Sequence, residues 1–266
     1  MIRYPGFDPI AFEIGPLHVR WYGIMYLIGF GAAWALARRR AARPGSTWKP
    51  NDVDDVVFFA MLGVILGGRI GYVLFYGMQY WLKDPLYLLK IWEGGMSFHG
   101  GLLGVLTALT IFAYRRGRRV ADVFDFIAPL PGLGLFAGRI GNFINGELWG
   151  KATTVPWGFM VDGQVRHASQ LYEAVLEGLV LFTILWWFTS KPRPRLAPSG
   201  LFLLLYGMSR FLIEFVRVPD VQIGYLAGGW FTMGQLLSLP MIAVGLAMLA
   251  FAYRRREPSG NLVTAQ

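Results

Sequence analysis

The chain has 266 residues, of which 55% are hydrophobic and only 15% charged, with a mean hydropathy of +0.45 and 20 Phe, 12 Tyr and 10 Trp. That is the composition of an integral membrane protein. The net charge of +9 does not point to nucleic acid, because the cations fall in short clusters between apolar runs, and the lack of cysteine excludes a disulfide framework, a thiolate metal site and a thiol nucleophile of its own.

Residues 1–17 carry Pro5, Asp8, Pro9, Glu13 and Pro16 and lack the basic start and apolar core of a cleavable signal peptide, so the first helix is expected to stay in the mature chain. Seven apolar segments follow, at roughly 19–37, 55–76, 95–114, 120–138, 170–189, 200–217 and 232–253. Each is long enough, or nearly so, to cross a bilayer about 30 Å thick as a helix. The connections after the first, third, fifth and seventh hold Arg38, Arg39, Arg40, Arg43 and Lys49; Arg115, Arg116, Arg118 and Arg119; Lys191, Arg193 and Arg195; and Arg254, Arg255 and Arg256. Positive loops mark the cytoplasmic side, which puts the amino terminus outside and the carboxyl terminus inside. The expected architecture is all-α: one seven-helix membrane domain over residues 1–256, a small outer insertion at about 139–168, and a short polar inner tail at 257–266.

Several polar groups have structural readings. Asn51, Asp52, Asp54 and Asp55 sit where an outward-running helix starts and are expected to cap its free amides rather than hold a metal. Asp122 and Asp125 open the fourth segment beside the Arg115–Arg119 cluster and are expected to balance charge there. Lys191–Arg195, with two prolines, reads as a stiff turn between helices. Glycines 94, 95, 100, 101 and 104 read as close helix packing in the third segment.

The ionisable groups inside the spans are different in kind. With a rise of 1.5 Å per residue, Arg69 comes about 21 Å above the inner boundary, Arg139 about 28 Å, and Arg210 about 15 Å with Glu214 above it. His99 lies near the outer end of the third segment, and Glu173 and Glu177 in the first turns of the fifth. Tyr206, Arg210, Glu214 and Arg217 form one helical stripe, and Gln170, Glu173 and Glu177 another, so both are expected to face the interior. Gly68-Arg69-Ile70-Gly71 recurs as Gly138-Arg139-Ile140-Gly141, though two crossings plus loops give such a period without duplication. Three guanidiniums thus reach the outer half of the bundle. Their planar, permanently charged forks suit phosphate oxygens, and a phospholipid head group is the natural ligand.

The stretches GGMSFHGGL at 94–102, GRIGNFINGELWG at 138–150, HASQLYE at 167–173 and YGMSRFLIEFVRVPD at 206–220, with WYG at 21–23, resemble the signature segments of the prolipoprotein diacylglyceryl transferase family over essentially the whole chain. One departure is Ala168 after His167, where the family commonly has proline. The resemblance implies transfer of the diacylglyceryl group of phosphatidylglycerol to the lipobox cysteine thiol of a prolipoprotein signal peptide, forming a thioether and releasing glycerol phosphate. It further implies a multi-pass protein of the bacterial inner membrane whose site faces the periplasm, with membrane lipid and prolipoproteins as partners and no cofactor or metal. Carried onto matching positions, the implied functional residues are Tyr22, His99, Arg139, Asn142, Glu147, Gly150, Tyr206, Arg210 and Glu214, to which the depth estimate adds Arg69 as a substrate-binding candidate. A neutral imidazole is a suitable base for a thiol, and Arg139 and Arg210 would stabilise the leaving phosphate. Asn142 and Tyr206 would position the head group, Gly150 would permit close backbone approach, and Glu147 and Glu214 would orient the arginines. Rival readings are a phospholipid or small-solute transporter, which would place its polar sites at the midplane; an intramembrane serine protease using Ser97 or Ser209, neither of which sits in a nucleophile elbow; and a metal-dependent phosphatidyl transferase, for which the outer face lacks clustered aspartates.

Overall fold

The computed structural model describes residues 2–15, 17–219 and 223–261; Pro16, Asp220 and the tail beyond residue 261 lie outside the described residues. In chain order, strands β1 (Ile2–Arg3), β2 (Ile10–Ile14) and β3 (Leu17–Arg20) lead into α1 (Trp21–Ala41) and α2 (Pro50–Phe75). A short α3 (Met78–Trp81) and two 3-10 turns precede α4 (Phe98–Arg115). Then come α5 (Val120–Ile127), α6 (Pro131–Ile144), β4 (Phe159–Val161), β5 (Gln164–Arg166), α7 (Ser169–Glu173), a π-helical stretch at Ala174–Val180 and α8 (Leu181–Phe188). The chain closes with α9 (Ala197–Ile213), β6 (Tyr225–Ala227), β7 (Phe231–Thr232) and α10 (Met233–Arg255).

The protein is mostly helical, and its composition and helices are those of a membrane protein. Among the described residues three continuous stretches, Pro50–Phe75, Ser169–Phe188 and Met233–Arg255, are long and apolar enough to cross a membrane. The bent pair α5 and α6, counted as one span, would be a fourth. That pair corrects the expected straight helix at 120–138. It bends by 50° ahead of Pro131, whose ring cannot accommodate a continuing helix, and α6 then runs on past Arg139 to Ile144. The third segment also starts later than expected, at Phe98. Gly94 and Gly95 both have positive φ (81° and 82°), and Ser97 caps the helix by accepting from Gly100 N at 3.2 Å. Short strands add to the all-α expectation; the β4–β5 hairpin turns at Asp162-Gly163, two residues with positive φ, and β1 joins β4 in parallel.

Contacts divide the chain into two compact units: residues to Leu36 with Asp125–Ser259, and Ala37–Phe124 with the segment from Gly260. In the second unit α2 packs on α4 through glycines. A Cβ at Gly104 would stand 2.8 Å from the Gly67 Cα, and one at Gly71 would stand 2.7 Å from the Gly100 Cα, so only hydrogen fits at this crossing. The acidic run at the start of α2 behaves as expected in part. Asp52 Oδ2 accepts from Lys49 N at 3.2 Å and so satisfies one amide at the helix start, but the helix begins five residues earlier than expected, at Pro50. The carboxylates also meet the basic clusters: Asp52 with Arg118 at 2.9 Å, Asp54 with Arg38 at 2.9 Å, and Asp55 with Arg116. Asp122 takes the Gly260 N–H at 2.9 Å, so it holds the chain after α10 in this unit.

In the first unit α9 packs along α10 through Gly200 and Gly245, where a Cβ would come 2.9 Å from the Met248 Cβ and 2.6 Å from Leu204 N. The π-helical stretch packs on α6 through Gly178, where a Cβ would lie 2.8 Å from the Phe136 Cα. Asp125 caps α9, accepting from Leu196 N at 2.7 Å and from Ser199 N and Oγ at 3.1 and 2.6 Å. At the other end Tyr4 donates its hydroxyl towards the Phe143 and Ile144 carbonyls (2.9 Å each), closing the end of α6 under the rings of Trp149 and Phe143.

Replacing Gly104 by valine is expected to lower the thermal unfolding midpoint in detergent by several degrees, an overpacking cost of about 1–3 kcal/mol, because the facing atoms are backbone and cannot rotate away.

Candidate active site

Six charged side chains meet in the first unit. Arg139 comes from α6, Glu173 from the end of α7, Glu177 from the π-helical stretch, Arg210 from α9, and Glu214 and Arg217 from the residues just beyond it. The carboxylates are buried: Glu173 and Glu177 have no exposed surface and Glu214 is 4% exposed. Apolar surroundings make such charges costly unless they are paired. Here three guanidiniums face three carboxylates, so the formal charges cancel.

The pairing is uneven. Arg139 Nε lies 2.6 Å from Glu173 Oε2, and Arg217 Nη1 lies 2.5 Å from Glu173 Oε1. Glu214 Oε1 holds Arg210 Nη2 at 2.5 Å and Arg217 Nε at 3.2 Å, while its Oε2 accepts from the Thr232 hydroxyl at 2.7 Å. Thr232 in turn caps α10 with Gln235, so the anchor of Arg210 is tied to the start of the last helix. The remaining guanidinium edges are weakly engaged. Arg139 Nη1 and Nη2 reach Asn142 Oδ1 and Glu177 Oε2 only at 3.5 Å, and Arg210 Nη1 is 3.8 Å from both Glu173 and Glu177. Each of the two arginines thus has one short ion pair and a second edge held only by long contacts.

The π-helical turn positions this chemistry. The expected helix at 170–189 is regular, but after Glu173 the chain widens to π geometry for seven residues, where Gly178 crosses α6. Glu173 just before this stretch and Glu177 within it are both buried. Arg217 also departs from expectation: α9 ends at Ile213, so Arg217 is not the last step of a helical stripe but lies in an extended segment that bridges Gly150.

The 142–150 loop forms an adjoining wall. Asn142 donates to Glu147 Oε1 at 2.7 Å, and Asn145 donates to the same atom at 3.3 Å. Glu147 therefore orients Asn142, a correction to its expected service to an arginine. Leu148 holds a positive φ of 62°, and its carbonyl accepts from the Ser169 hydroxyl at 2.7 Å, while Gln170 Nε2 donates to the Glu147 carbonyl at 3.1 Å. Gly150 is filled from within, because a Cβ would fall 2.5 Å from the Val216 carbonyl and 2.9 Å from the His167 Cβ. Its glycine permits a close backbone approach, as expected, and here the approaching chain is the protein's own, at Val216 and His167. Tyr22 faces Gly141 and lies 3.4 Å from the Tyr26 hydroxyl, and Tyr206 stacks on Phe202.

Two expected site residues belong to the other unit. Arg69, 2% exposed, donates to the carbonyls of Leu88 (3.1 Å), Gly94 (2.5 Å), Gly95 (3.4 Å) and Tyr87 (2.5 Å), with its guanidinium 4.7 Å from the Tyr87 ring centroid. Four of its five donors are committed to the loop before α4, so it organises that loop, a correction to its expected place in a substrate pocket. His99 follows that loop as the second residue of α4, exposed, with its ring edge-on to Phe98. Glu173, Glu177 and Arg217 complete the cluster without having been among the candidate site residues. The stripe Gln170, Glu173 and Glu177 is the sequence signal for the first two, and the stripe Tyr206, Arg210, Glu214 and Arg217 is the signal for the third.

Guanidiniums held by carboxylates in an apolar helical surround define a class: a helical membrane protein with a buried cluster of paired charges. The comparisons specify it. Residues 9–251 match the family model for prolipoprotein diacylglyceryl transferase. The chain is 58% identical over 260 residues, 97% of either chain, to the phosphatidylglycerol--prolipoprotein diacylglyceryl transferase of Oleidesulfovibrio alaskensis. It is 58% identical over 261 residues, 97% of this chain and 100% of the relative, to that of Methylococcus capsulatus, and 55% identical over 264 residues, 98% and 99%, to that of Ectopseudomonas mendocina. The chain belongs to the prolipoprotein diacylglyceryl transferase family.

Outside the spans, His167 ties the wall to α7, with Nδ1 3.2 Å from the Tyr172 hydroxyl and its backbone bonded to Gly150 and Lys151. Burial holds its imidazole below the ordinary value of 6.5, so the fold favours the neutral ring. Its contribution to stability is present above about pH 6.5 and is lost as pH falls below it. Between about pH 7.5 and pH 5.5 the thermal midpoint is expected to drop further for the wild-type chain than for His167→Gln.

Proposed function

We propose that Arg139 and Arg210 receive the phosphodiester of phosphatidylglycerol at their free edges while the diacylglyceryl group passes to a cysteine thiol. The chain is a transferase whose substrates are phosphatidylglycerol and a prolipoprotein. The observation that supports this placement is the uneven pairing of the two arginines: each is fixed by a short contact on one side, 2.6 Å to Glu173 or 2.5 Å to Glu214, and nearly free on the other. Fixed donors cost little reorganisation when charge develops on a leaving group.

In this reading His99 accepts the thiol proton. The thiolate forms a bond to the terminal glyceryl carbon, and the carbon–oxygen bond to phosphate breaks. The electron pair leaves with glycerol phosphate, whose added charge Arg139 and Arg210 stabilise. Asn142, oriented by Glu147, and Tyr206 position the head group, Tyr22 borders it, Gly150 keeps the loop wall close, and Glu214 holds Arg210. The thiol is that of a lipobox cysteine. We read seven crossings within residues 1–256, made by α1, α2, α4, the α5–α6 pair, α7 to α8, α9 and α10. The positive loops put the amino terminus in the periplasm and the tail at 257–266 in the cytoplasm of a bacterial inner membrane. The insertion at about 139–168 makes a small periplasmic head, and the site faces that side.

Incubating the purified chain with phosphatidylglycerol and a lipobox peptide is expected to add one diacylglyceryl mass to the peptide cysteine. Mass spectrometry reads this directly, and movement of labelled lipid without peptide modification would support a transporter instead. Arg139→Gln and Arg210→Gln are each expected to slow transfer by about 100-fold or more. His99→Gln is expected to lose a factor of about 100 to 10,000 at neutral pH, and full activity in that variant would remove His99 as the base.

A further inference from the structure

We infer that Glu177 is a built-in stand-in for the lipid phosphate, holding the free edges of Arg139 and Arg210 in the empty site and taking up one proton when the phosphodiester arrives. The inference rests on the reading of those two arginines as the phosphate receptor.

The distances single out Glu177 among the three carboxylates. Glu173 has cationic nitrogens at 2.5 and 2.6 Å, and Glu214 has one at 2.5 Å plus a hydroxyl donor at 2.7 Å. The nearest cation to Glu177 is 3.5 Å away, and its Oε1 lies 3.8 Å from Arg210 Nη1. Glu173 Oε2 and Glu177 Oε1 are both buried without a hydrogen bond, so it is the longer ion-pair distances that set Glu177 apart. Its carboxylate takes one long hydrogen bond from Arg139 Nη2 and none from Arg210. A phosphate oxygen at the usual 2.7–2.9 Å or so of a charge-assisted bond would serve them better.

Charge balance then requires a change. With all six groups ionised the cluster is neutral, and adding a phosphodiester leaves one negative charge without a partner in a buried site. One proton restores neutrality. The groups facing Glu177 are Arg139 from α6, Glu173 from α7, Tyr206 and Arg210 from α9, and Arg217 beyond it. The arginines are already protonated, Glu173 is ion-paired with two guanidiniums at 2.5 and 2.6 Å, and Tyr206 enters neutral. Glu177 is the carboxylate that loses its cations to the incoming phosphate, so the proton, drawn from water, goes there. No covalent bond other than this O–H forms.

The test uses the full chain in detergent and dihexanoyl phosphatidylglycerol. Calorimetric titration in two buffers of different ionisation enthalpy is expected to show uptake of about one proton per bound lipid, and affinity falling by about tenfold per pH unit where Glu177 is ionised when empty and protonated when occupied. Glu177→Gln is expected to abolish the uptake and flatten the pH dependence, while binding more tightly than the wild type at the high-pH end. Glu173→Gln is expected to bind more weakly, because Arg139 and Arg217 lose their anchor. Lack of proton uptake in the wild type, which can be measured whether or not the variants fold, overturns the inference, as does a Glu177→Gln protein that keeps the slope. If instead Arg139→Gln and Arg210→Gln bind the lipid as the wild type does, the receptor reading itself fails.

Discussion

Charges buried among apolar helices must be matched, and much of the first unit is arranged around that requirement. Three guanidiniums and three carboxylates cancel, but matching alone would leave an inert salt cluster. What makes this one chemically useful is its unevenness: Glu173 and Glu214 hold firmly, while Glu177 stands off at 3.5 Å. Even the start of α10 contributes, because the Thr232 that caps it also fixes Glu214. A preorganised receptor for an anion needs donors that cannot relax onto their own counterions.

The second unit solves a different problem with a related device. Gly67, Gly71, Gly100 and Gly104 bring two helices to backbone contact, which leaves no room at the crossing for side chains. Arg69 rises from the same helix as a tether, gathering the carbonyls of Tyr87, Leu88, Gly94 and Gly95. A guanidinium suits this use because its five donors spread in a plane and stay charged, so it can replace the missing backbone partners of an irregular loop. Arg69 and Arg139 sit in the same four-residue motif, yet one ends on carbonyls and the other on carboxylates with an edge to spare. Identical local sequence did not dictate identical use.

The helical bulk of the fold was legible because long apolar runs can do little else in a membrane: every backbone N–H must bond within its own segment. The boundaries moved where local chemistry outweighed hydropathy, at Pro131, at the positive-φ pair Gly94-Gly95, and at the start of α2, where Asp52 accepts from Lys49 N. The short strands carried no such signal, since two or three residues without period cannot be told from loop. Among the site residues, Arg139, Arg210, Glu214 and Asn142 were visible as polar groups in an apolar context, and the structure brings them into one region of the first unit. Glu147 and Gly150 were visible too, but their partners were not: Glu147 meets Asn142, and the backbone that Gly150 admits is that of Val216 and His167, remote in the chain.

The amino-acid sequence by itself determined that this is a helical membrane protein, which of its motifs carry the family resemblance, and which buried ionisable groups need an explanation. Hydropathy and the cost of burying charge are properties of composition and local order, so they can be read without coordinates. Only the tertiary structure decided how the six charges pair, that α5 and α6 bend by 50° between them, that α9 stops before Arg217, and that Glu177 is the least satisfied carboxylate. Those outcomes turn on differences of about 1 Å between side chains from separate helices, and no period or spacing along one helix encodes such distances.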